Sequence, residues 1–164
     1  MKRTVAFITV LAFLLSGCGF YLKGSRPLQL QGTKIFLKSH GANAITAEIR
    51  QQPGIQEVPL ATDPKHADFI VTLSDERFDR RILSVDPRTG KWREFELSYE
   101  VDFAVNRPDG APLAKRDTIQ ISRDLAFDET AVISKFEEEN LVRGEMMKDA
   151  AETVLRHVER VKVR

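Results

Sequence analysis

The sequence predicts an α+β domain: a two-layer sandwich in which a mixed four-stranded sheet has two helices packed on one face. Six apolar residues alternate with polar ones between positions 95 and 105, as in an antiparallel strand with one face in water. Residues 134–160 have the apolar spacing of a long amphipathic helix. Shorter patterns complete the order βαβββα, and these elements pack most simply as two layers.

The first 17 residues have the three parts of a secretory signal peptide. Met1-Lys2-Arg3 is basic, residues 4–15 are mostly apolar, and Ser16-Gly17 is a pair of small residues. The apolar run is shorter than the roughly 20 residues that span a bilayer. Residues 1–17 are therefore predicted to be removed, with a signal anchor as the alternative.

The residues around the single cysteine indicate lipid attachment. Leu15-Ser16-Gly17-Cys18 resembles the lipobox of bacterial lipoproteins, which implies cleavage before Cys18 and acylation of its sulfur and amine. Cysteine suits this role because its thiolate is the nucleophile that takes the lipid. Gly19 rather than aspartate follows, which by analogy with enterobacterial sorting favours the outer membrane. The alternative is an ordinary secreted protein with one free thiol.

The composition excludes several classes of protein. The chain has 164 residues, one cysteine and a formal net charge of +1, which argues against a disulfide scaffold and a basic nucleic-acid binder. Loss of Lys2 and Arg3 with the signal changes the net charge to −1. A mature domain of about 150 residues buries roughly 70% of its unfolded surface, so it needs no disulfide or metal to fold.

The mature chain divides into a predicted tether and one predicted domain. Residues 18–32 are rich in glycine and have little periodicity, as expected of a lipidated N-terminal tether. Residues 33–164 carry the regular patterns and form the single α+β domain.

The domain begins with a strand, a helix and a second strand. Residues 33–38 predict the strand, and residues 39–52 predict a helix that Ser39 caps and Pro53-Gly54 stops. Residues 67–83 predict the second strand. Its alternation shifts by one residue between positions 75 and 81, which is what a β-bulge produces.

A meander and a long helix follow. Turn sequences at residues 86–90 and 108–110 join the second strand to a third and the third to a fourth, at residues 113–127. The fourth strand has Ile119, Ile121, Leu125 and Phe127 on one face. The core side of the last helix is predicted to contain Phe136, Asn140, Met147, Ala150, Ala151, Val154, Val158 and Val161.

This order of elements and three local motifs resemble the LptE family of lipopolysaccharide-assembly lipoproteins. The motifs are the segment from Leu15 to Gly24, the strand from Glu94 to Val105 and the segment from Arg143 to Glu152. The resemblance implies a non-enzymatic protein of the Gram-negative outer membrane. It implies that the protein plugs and helps assemble a large β-barrel, LptD, and assists delivery of lipopolysaccharide to the cell surface.

The second hairpin is the candidate site for lipopolysaccharide, whose phosphates and acyl chains need cationic groups beside an apolar surface. It has the densest mixture of basic and apolar residues in the chain. In a meander, the turn of this hairpin lies at the same end of the sheet as the exit of the fourth strand. The family resemblance implies lipid contacts at this turn and at the start of the last helix. The candidates are Arg88, Lys135, Lys91, Arg93 and Arg81. The alternative is a solvated hairpin whose charges keep sheet edges apart.

Other residue groups predict no chemistry. His40, His66 and His157 lack the spacing of metal ligands, and the three glutamates at 137–139 are interpreted as a solvated first turn. Trp92 is equally consistent with a partner contact and a strand-edge aromatic. No catalytic or phosphate-loop motif occurs, which argues against an enzyme. The alternative function is a free-standing periplasm-facing lipoprotein, either a lipid chaperone or a peptidoglycan-binding module.

Overall fold

A computed structural model of the chain describes residues 28–126 and 132–162. The elements follow the predicted order βαβββα, with two short helices added in the first crossover. They are β1 (Ile35–His40), α1 (Asn43–Gln51), α2 (Pro53–Gln56), a 3-10 turn (Pro64–His66), β2 (Phe69–Val85), β3 (Trp92–Asn106), β4 (Asp117–Ala126) and α3 (Val132–Lys162). The signal peptide, Cys18 and Phe127 lie outside the described residues, so the predictions for them stand as made.

The sheet has the strand order β1-β2-β3-β4, with β1 parallel to β2 and the other neighbours antiparallel. This confirms the mixed four-stranded sheet. The fourth strand begins at Asp117 rather than at the predicted residue 113. Pro112 makes an isolated bridge with Asn106, and the chain then bends at residues 113 and 114, where both backbone N–H groups donate to the Val105 carbonyl, before the ladder starts.

The core lies between one face of the sheet and the two longer helices. All six predicted inward residues of β3 are buried, and the residues between them are only partly buried or exposed. Ile45 and Ile49 of α1 and Ala150 and Val154 of α3 pack in the same hydrophobic cluster. Both helices therefore cover one face, which confirms the two-layer α+β sandwich.

The first turns of α3 depart from the prediction. Phe136, predicted to face the core, is 65% exposed, and Asn140 is exposed as well. The nine residues of α1 span about 13 Å, whereas the 31 residues of α3 span about 46 Å. Because α1 cannot cover the whole of α3, the start of the long helix has the sheet on one side and water on the other.

The folded part of the chain begins before the predicted boundary at residue 33. Leu28 and Leu30 are buried in the core. The Gln29 N–H donates to Glu159 Oε1 over 3.0 Å, and Lys162 Nζ donates to the carbonyls of Gln29 and of residue 31, each over 3.1 Å. The end of the predicted tether is thus fastened to the C-terminal turn of α3, and the prediction of a tether remains for residues 18–27.

The predicted β-bulge is present and fixes α1 to the sheet. Two residues of β2, Asp75 and Glu76, occupy the space opposite one residue of β3, and Asp75 has φ 54°. The Glu76 carboxylate accepts hydrogen bonds from the backbone N–H groups of Ala44 and Ile45, at 3.2 and 3.0 Å. It thereby does what an N-cap side chain does.

The predicted cap, Ser39, has a different position. It ends up within β1, which continues to His40, so Ala42 becomes the N-cap residue and offers no side-chain oxygen. The Tyr99 hydroxyl donates to Glu76 Oε1 over 3.0 Å. Burial, assisted by the negative charge of Glu76, raises the pKa of Tyr99 far above its ordinary value, so the hydroxyl remains a donor.

Replacing Glu76 should weaken the whole fold. We expect Glu76→Ala to lower the free energy of unfolding by about 1–2 kcal/mol, because two helix N–H groups and one buried hydroxyl lose their acceptor. Urea denaturation measures this. Asp79→Ala on the same strand is the control, expected within about 0.5 kcal/mol of wild type, since among the described residues the Asp79 carboxylate accepts only from the adjacent Arg80 N–H. Equal effects of the two substitutions would contradict the capping role.

Candidate functional site

The far end of the β2–β3 hairpin presents apolar side chains to water. Ile82, Leu83, Val85 and Trp92, here called the apolar tip, are each between 42% and 51% exposed. Isolated exposed apolar residues are ordinary, but four on one short hairpin end form a patch of the kind that binds partners or ligands. The tip is opposite the end of the sheet where Phe69 begins β2, which we call the base.

Two irregularities in strand pairing lie within this patch. Leu83 is an extra residue between the pairs Ile82–Phe95 and Ser84–Glu94, and Arg93 is an extra residue before the pair Val85–Trp92. Each extra residue reverses the alternation of faces. The alternation of faces is therefore interrupted in the part of the hairpin where the four apolar side chains lie.

The turn that closes the hairpin is firmly built. Asp86 Oδ1 accepts from the backbone N–H groups of Arg88 and Thr89, at 2.9 and 3.0 Å. These two bonds, that of Arg88 first, lower the pKa of Asp86, which keeps the carboxylate charged. Gly90 has φ 70° and donates to the Asp86 carbonyl over 2.8 Å. Arg88 is thus carried on an ordered turn at the extreme end of the domain.

The sheet register places the start of α3 at the tip. Ala126, the last residue of β4, pairs with Glu94 of β3, only two residues from Trp92. The chain therefore leaves β4 at the tip and enters α3 there. Arg88 and Lys135 belong to the same end of the molecule, as the meander predicted.

The candidate cations differ in what they already bind. Arg81 donates to Glu96 over 3.0 Å, and Lys135 donates to Glu138 over 2.7 Å with its side chain 22% exposed. Lys91 is exposed and takes part in the turn through its backbone. Arg88 and Arg93 are exposed, and neither forms an ion pair with a carboxylate of the described residues.

Sequence reasoning missed the residue that ties α3 to the hairpin. Glu139, interpreted as part of a solvated turn, is only 13% exposed and accepts from Arg80 at 3.3 Å and from Arg143 at 2.8 Å. The Arg143 guanidinium lies 5.1 Å from the Phe78 ring. Only the i,i+4 spacing of Glu139 and Arg143 hinted at this role. Glu137 is exposed, as predicted.

Arg80 connects this network to the apolar tip. Its guanidinium carbon lies 5.3 Å from the Phe95 ring centroid and 5.9 Å from that of Trp92. Both distances are within the range of cation–π attraction. The Arg80 guanidinium therefore lies against the aromatic rings at the tip and is itself paired with Glu139.

Metal binding and membrane crossing by a helix can also be considered. The part of the chain that the structure describes has no group of three or more side chains placed to hold a metal ion. Among those residues, no helix is long and apolar enough to cross a membrane.

Comparisons with known proteins agree with this fold. The model of a family described as lipopolysaccharide-assembly, LptE, matches residues 31–158. The LPS-assembly lipoprotein LptE of Pectobacterium atrosepticum is 27% identical over 160 residues, which cover 94% of this chain and 84% of the relative.

Two solved structures share the architecture. The crystal structure of rare lipoprotein B from Shewanella oneidensis is 28% identical, with a TM-score of 0.68 and coverage of 79% of this chain and 96% of that one. The solution structure of a lipoprotein B from Nitrosomonas europaea is 24% identical, with a TM-score of 0.72 and coverage of 86% and 90%. At 24% identity, the likeness to the Nitrosomonas europaea structure is evidence for the fold alone.

Glu139 should be needed to hold the start of α3 on the sheet. We expect Glu139→Ala to lower the free energy of unfolding by about 1–2 kcal/mol, because Arg80 and Arg143 both lose their acceptor. Urea denaturation again gives the value. Glu137→Ala, two residues away on the exposed side, serves as the control and should change stability by less than about 0.5 kcal/mol. If Glu139→Ala left the free energy of unfolding unchanged, the ion pairs of Glu139 with Arg80 and Arg143 would contribute nothing to stability.

Proposed function

The chain belongs to the LptE lipopolysaccharide-assembly family, and from this we propose that it is an outer-membrane lipoprotein, anchored through Cys18, that binds lipopolysaccharide and plugs the LptD β-barrel. In this proposal it helps the barrel assemble and assists delivery of lipopolysaccharide to the cell surface. It acts by binding and positioning, not as an enzyme.

The observation that carries lipid binding is the composition of the tip. Four exposed apolar side chains adjoin a turn that presents Arg88 and Lys91, and Arg93 follows at the start of β3. Lipopolysaccharide combines phosphates with acyl chains, so one end of one molecule must offer it both cations and apolar surface. Guanidinium groups suit the phosphates because they donate two parallel hydrogen bonds.

The existing ion pairs rank the candidate cations. Arg88 and Arg93 can meet a phosphate without breaking a bond to a carboxylate of the described residues. Arg81 must leave Glu96 and Lys135 must leave Glu138, so part of the gain is offset in each case. Arg88 is therefore the principal phosphate contact in this proposal, with Arg93 and Lys91 beside it and Arg81 and Lys135 in secondary roles.

The wet face of the sheet suits the interior of a barrel. Several of its charges are already joined in ion pairs: Arg77 with Glu100, Arg81 with Glu96 and Arg116 with Asp102. The lumen of a large outer-membrane barrel is polar. A surface that carries charges of both signs suits such a lumen.

Charge reversal at the tip should weaken lipopolysaccharide binding. We expect Arg88→Glu to raise the dissociation constant about fivefold, equivalent to about 1 kcal/mol, and Arg88→Glu with Lys135→Glu to raise it tenfold or more. Binding is followed by the emission of Trp92, the single tryptophan, as lipopolysaccharide is added to the purified mature lipoprotein in mild detergent.

Arg107→Glu is the matched control for this titration. Arg107 is an exposed arginine at the other hairpin turn, at the base, so its reversal changes net charge equally. Unchanged affinity in the folded double variant, or an equal loss in Arg107→Glu, would remove the tip from the proposal.

The barrel partnership is tested by isolation from the native membrane. We expect the tagged, lipidated protein, extracted in mild detergent, to bring down one large β-barrel protein in equal amount, identified by mass spectrometry. An unrelated lipoprotein with the same tag is the control. Recovery of the protein alone, or with peptidoglycan fragments, would instead support the free-standing periplasm-facing lipoprotein.

A further inference from the structure

Arg80 is a cation of the hairpin that lies on the side of the sheet covered by the helices. It pairs in register with Leu97 of β3, which is buried, and directly opposed residues of antiparallel strands share a face. Its side chain nevertheless remains 46% exposed. A ligand that approaches the tip from the side where α3 begins can therefore reach this guanidinium.

The surroundings of Arg80 combine charge with apolar surface. Its guanidinium carbon lies 5.9 Å from the centroid of the Trp92 ring, and Trp92 belongs to the apolar tip. Ile82, two residues further along β2 on the same face, is exposed and belongs to the tip as well. A guanidinium beside an exposed indole and an exposed aliphatic side chain suits a ligand that carries phosphates next to acyl chains.

The ion pair that now holds Arg80 is the weaker of two on the same carboxylate. Arg80 Nη1 donates to Glu139 Oε2 over 3.3 Å, which is longer than an ordinary N–H···O hydrogen bond. Arg143 donates to the other oxygen, Oε1, from Nε at 3.2 Å and from Nη2 at 2.8 Å. If Arg80 leaves, Glu139 therefore keeps a cation with two hydrogen bonds.

The neighbouring pair of Arg81 with Glu96 lacks this property. Glu96 is 23% exposed, and among the described residues Arg81 is its one cationic partner. A partly buried carboxylate that loses its partner is left with an uncompensated charge, which is costly. Arg80 can thus be exchanged for a new anion at a lower cost than Arg81.

We propose that Arg80 is a further phosphate contact of the tip, and that it passes from Glu139 to a phosphate of lipopolysaccharide when the lipid binds. This inference rests on the proposed binding of lipopolysaccharide at the tip. A phosphate group can accept two parallel hydrogen bonds from one guanidinium, which makes it a stronger acceptor for Arg80 than a single long contact with a carboxylate. Glu139 therefore competes with the lipid for Arg80.

Competition gives the effect of Glu139 on lipid affinity a distinctive sign. The apparent affinity of a ligand is lowered by the fraction of the protein that is held in the form unable to bind it. Weakening the hold of Glu139 on Arg80 should therefore tighten lipid binding. If Glu139 only supported the fold, its replacement would loosen the start of α3 and would weaken binding or leave it unchanged.

Calorimetric titration of the purified mature lipoprotein with lipopolysaccharide in mild detergent tests this sign. We expect Glu139→Gln to lower the dissociation constant about threefold, because a neutral amide holds Arg80 less strongly than a carboxylate. Glu137→Gln is the matched control, since Glu137 is exposed on the same turn of α3 and its replacement removes the same charge. It should change the dissociation constant by less than about 1.5-fold.

Replacing Arg80 itself should have the opposite effect. Arg80→Met keeps a long unbranched side chain beside Trp92 but removes the charge, so we expect the dissociation constant to rise about threefold. When Arg80→Met is present, adding Glu139→Gln should no longer change the affinity, because no cation is left to compete for. Arg107→Met makes the same substitution at the base and should leave the dissociation constant within about 1.5-fold of wild type.

Two further titrants test which chemical group takes Arg80. Lipopolysaccharide stripped of its phosphates should bind wild type and Glu139→Gln with equal dissociation constants. Inorganic phosphate alone should not distinguish the two proteins either, because it has no acyl chains to hold it against the apolar tip.

The proposal is overturned if Glu139→Gln binds lipopolysaccharide no more tightly than Glu137→Gln does, or if Arg80→Met binds it as Arg107→Met does. It is also overturned if the gain in Glu139→Gln persists with the dephosphorylated lipid or appears with inorganic phosphate alone. If Glu139→Gln does not accumulate as folded protein, the comparison of Arg80→Met with Arg107→Met decides. Failure of wild type to bind lipopolysaccharide would remove the proposed lipid binding together with this inference, whereas binding without the gain would remove this inference alone.

Discussion

The bulge at Asp75 and Glu76 sets which face each residue of β2 takes from Arg77 to Ile82. Before it, Val71 and Leu73 point into the core; an uninterrupted strand would then send Arg77, Asp79 and Arg81 inward as well. The extra residue reverses the phase, so Phe78 and Ile82 take the helical side and Arg77 pairs with Glu100 on the wet face. The charged wet face of β2 and the helical-side positions of Phe78 and Ile82 both depend on this single insertion.

The same bulge divides the domain into two halves with different packing. Below it, β1 ends beside Ser74, and α1, held through Glu76, covers a closed apolar core. Above it, the hairpin and the start of α3 extend without α1 and are joined by ion pairs and arginine–aromatic contacts instead. Buried apolar packing is concentrated at the base, and exposed apolar surface at the tip.

Much of this arrangement could be predicted from the sequence, and the predictions that were wrong share one cause. Strict alternation in β3 predicted six buried residues because a half-buried strand depends on neighbours only through its two faces. The turn signals then placed Arg88 and Lys135 at one end. Phe136, Glu139 and Leu30 were misjudged because their burial depends on the relative lengths of α1 and α3 and on contacts distant in sequence. The two register irregularities at Leu83 and Arg93 were not predicted, because nothing in the residue composition of the hairpin indicates them.

The fastening of residues 28–31 determines how the domain bears mechanical force. A pull on the chain ahead of Leu28 first meets the buried Leu28 and Leu30 and the bonds to Glu159 and Lys162. It then acts along β1, which runs parallel to β2. Hydrogen bonds between strands pulled along their length share the load, whereas strands peeled apart lose them one at a time. Tension directed along β1 is therefore resisted in shear by its ladder with β2.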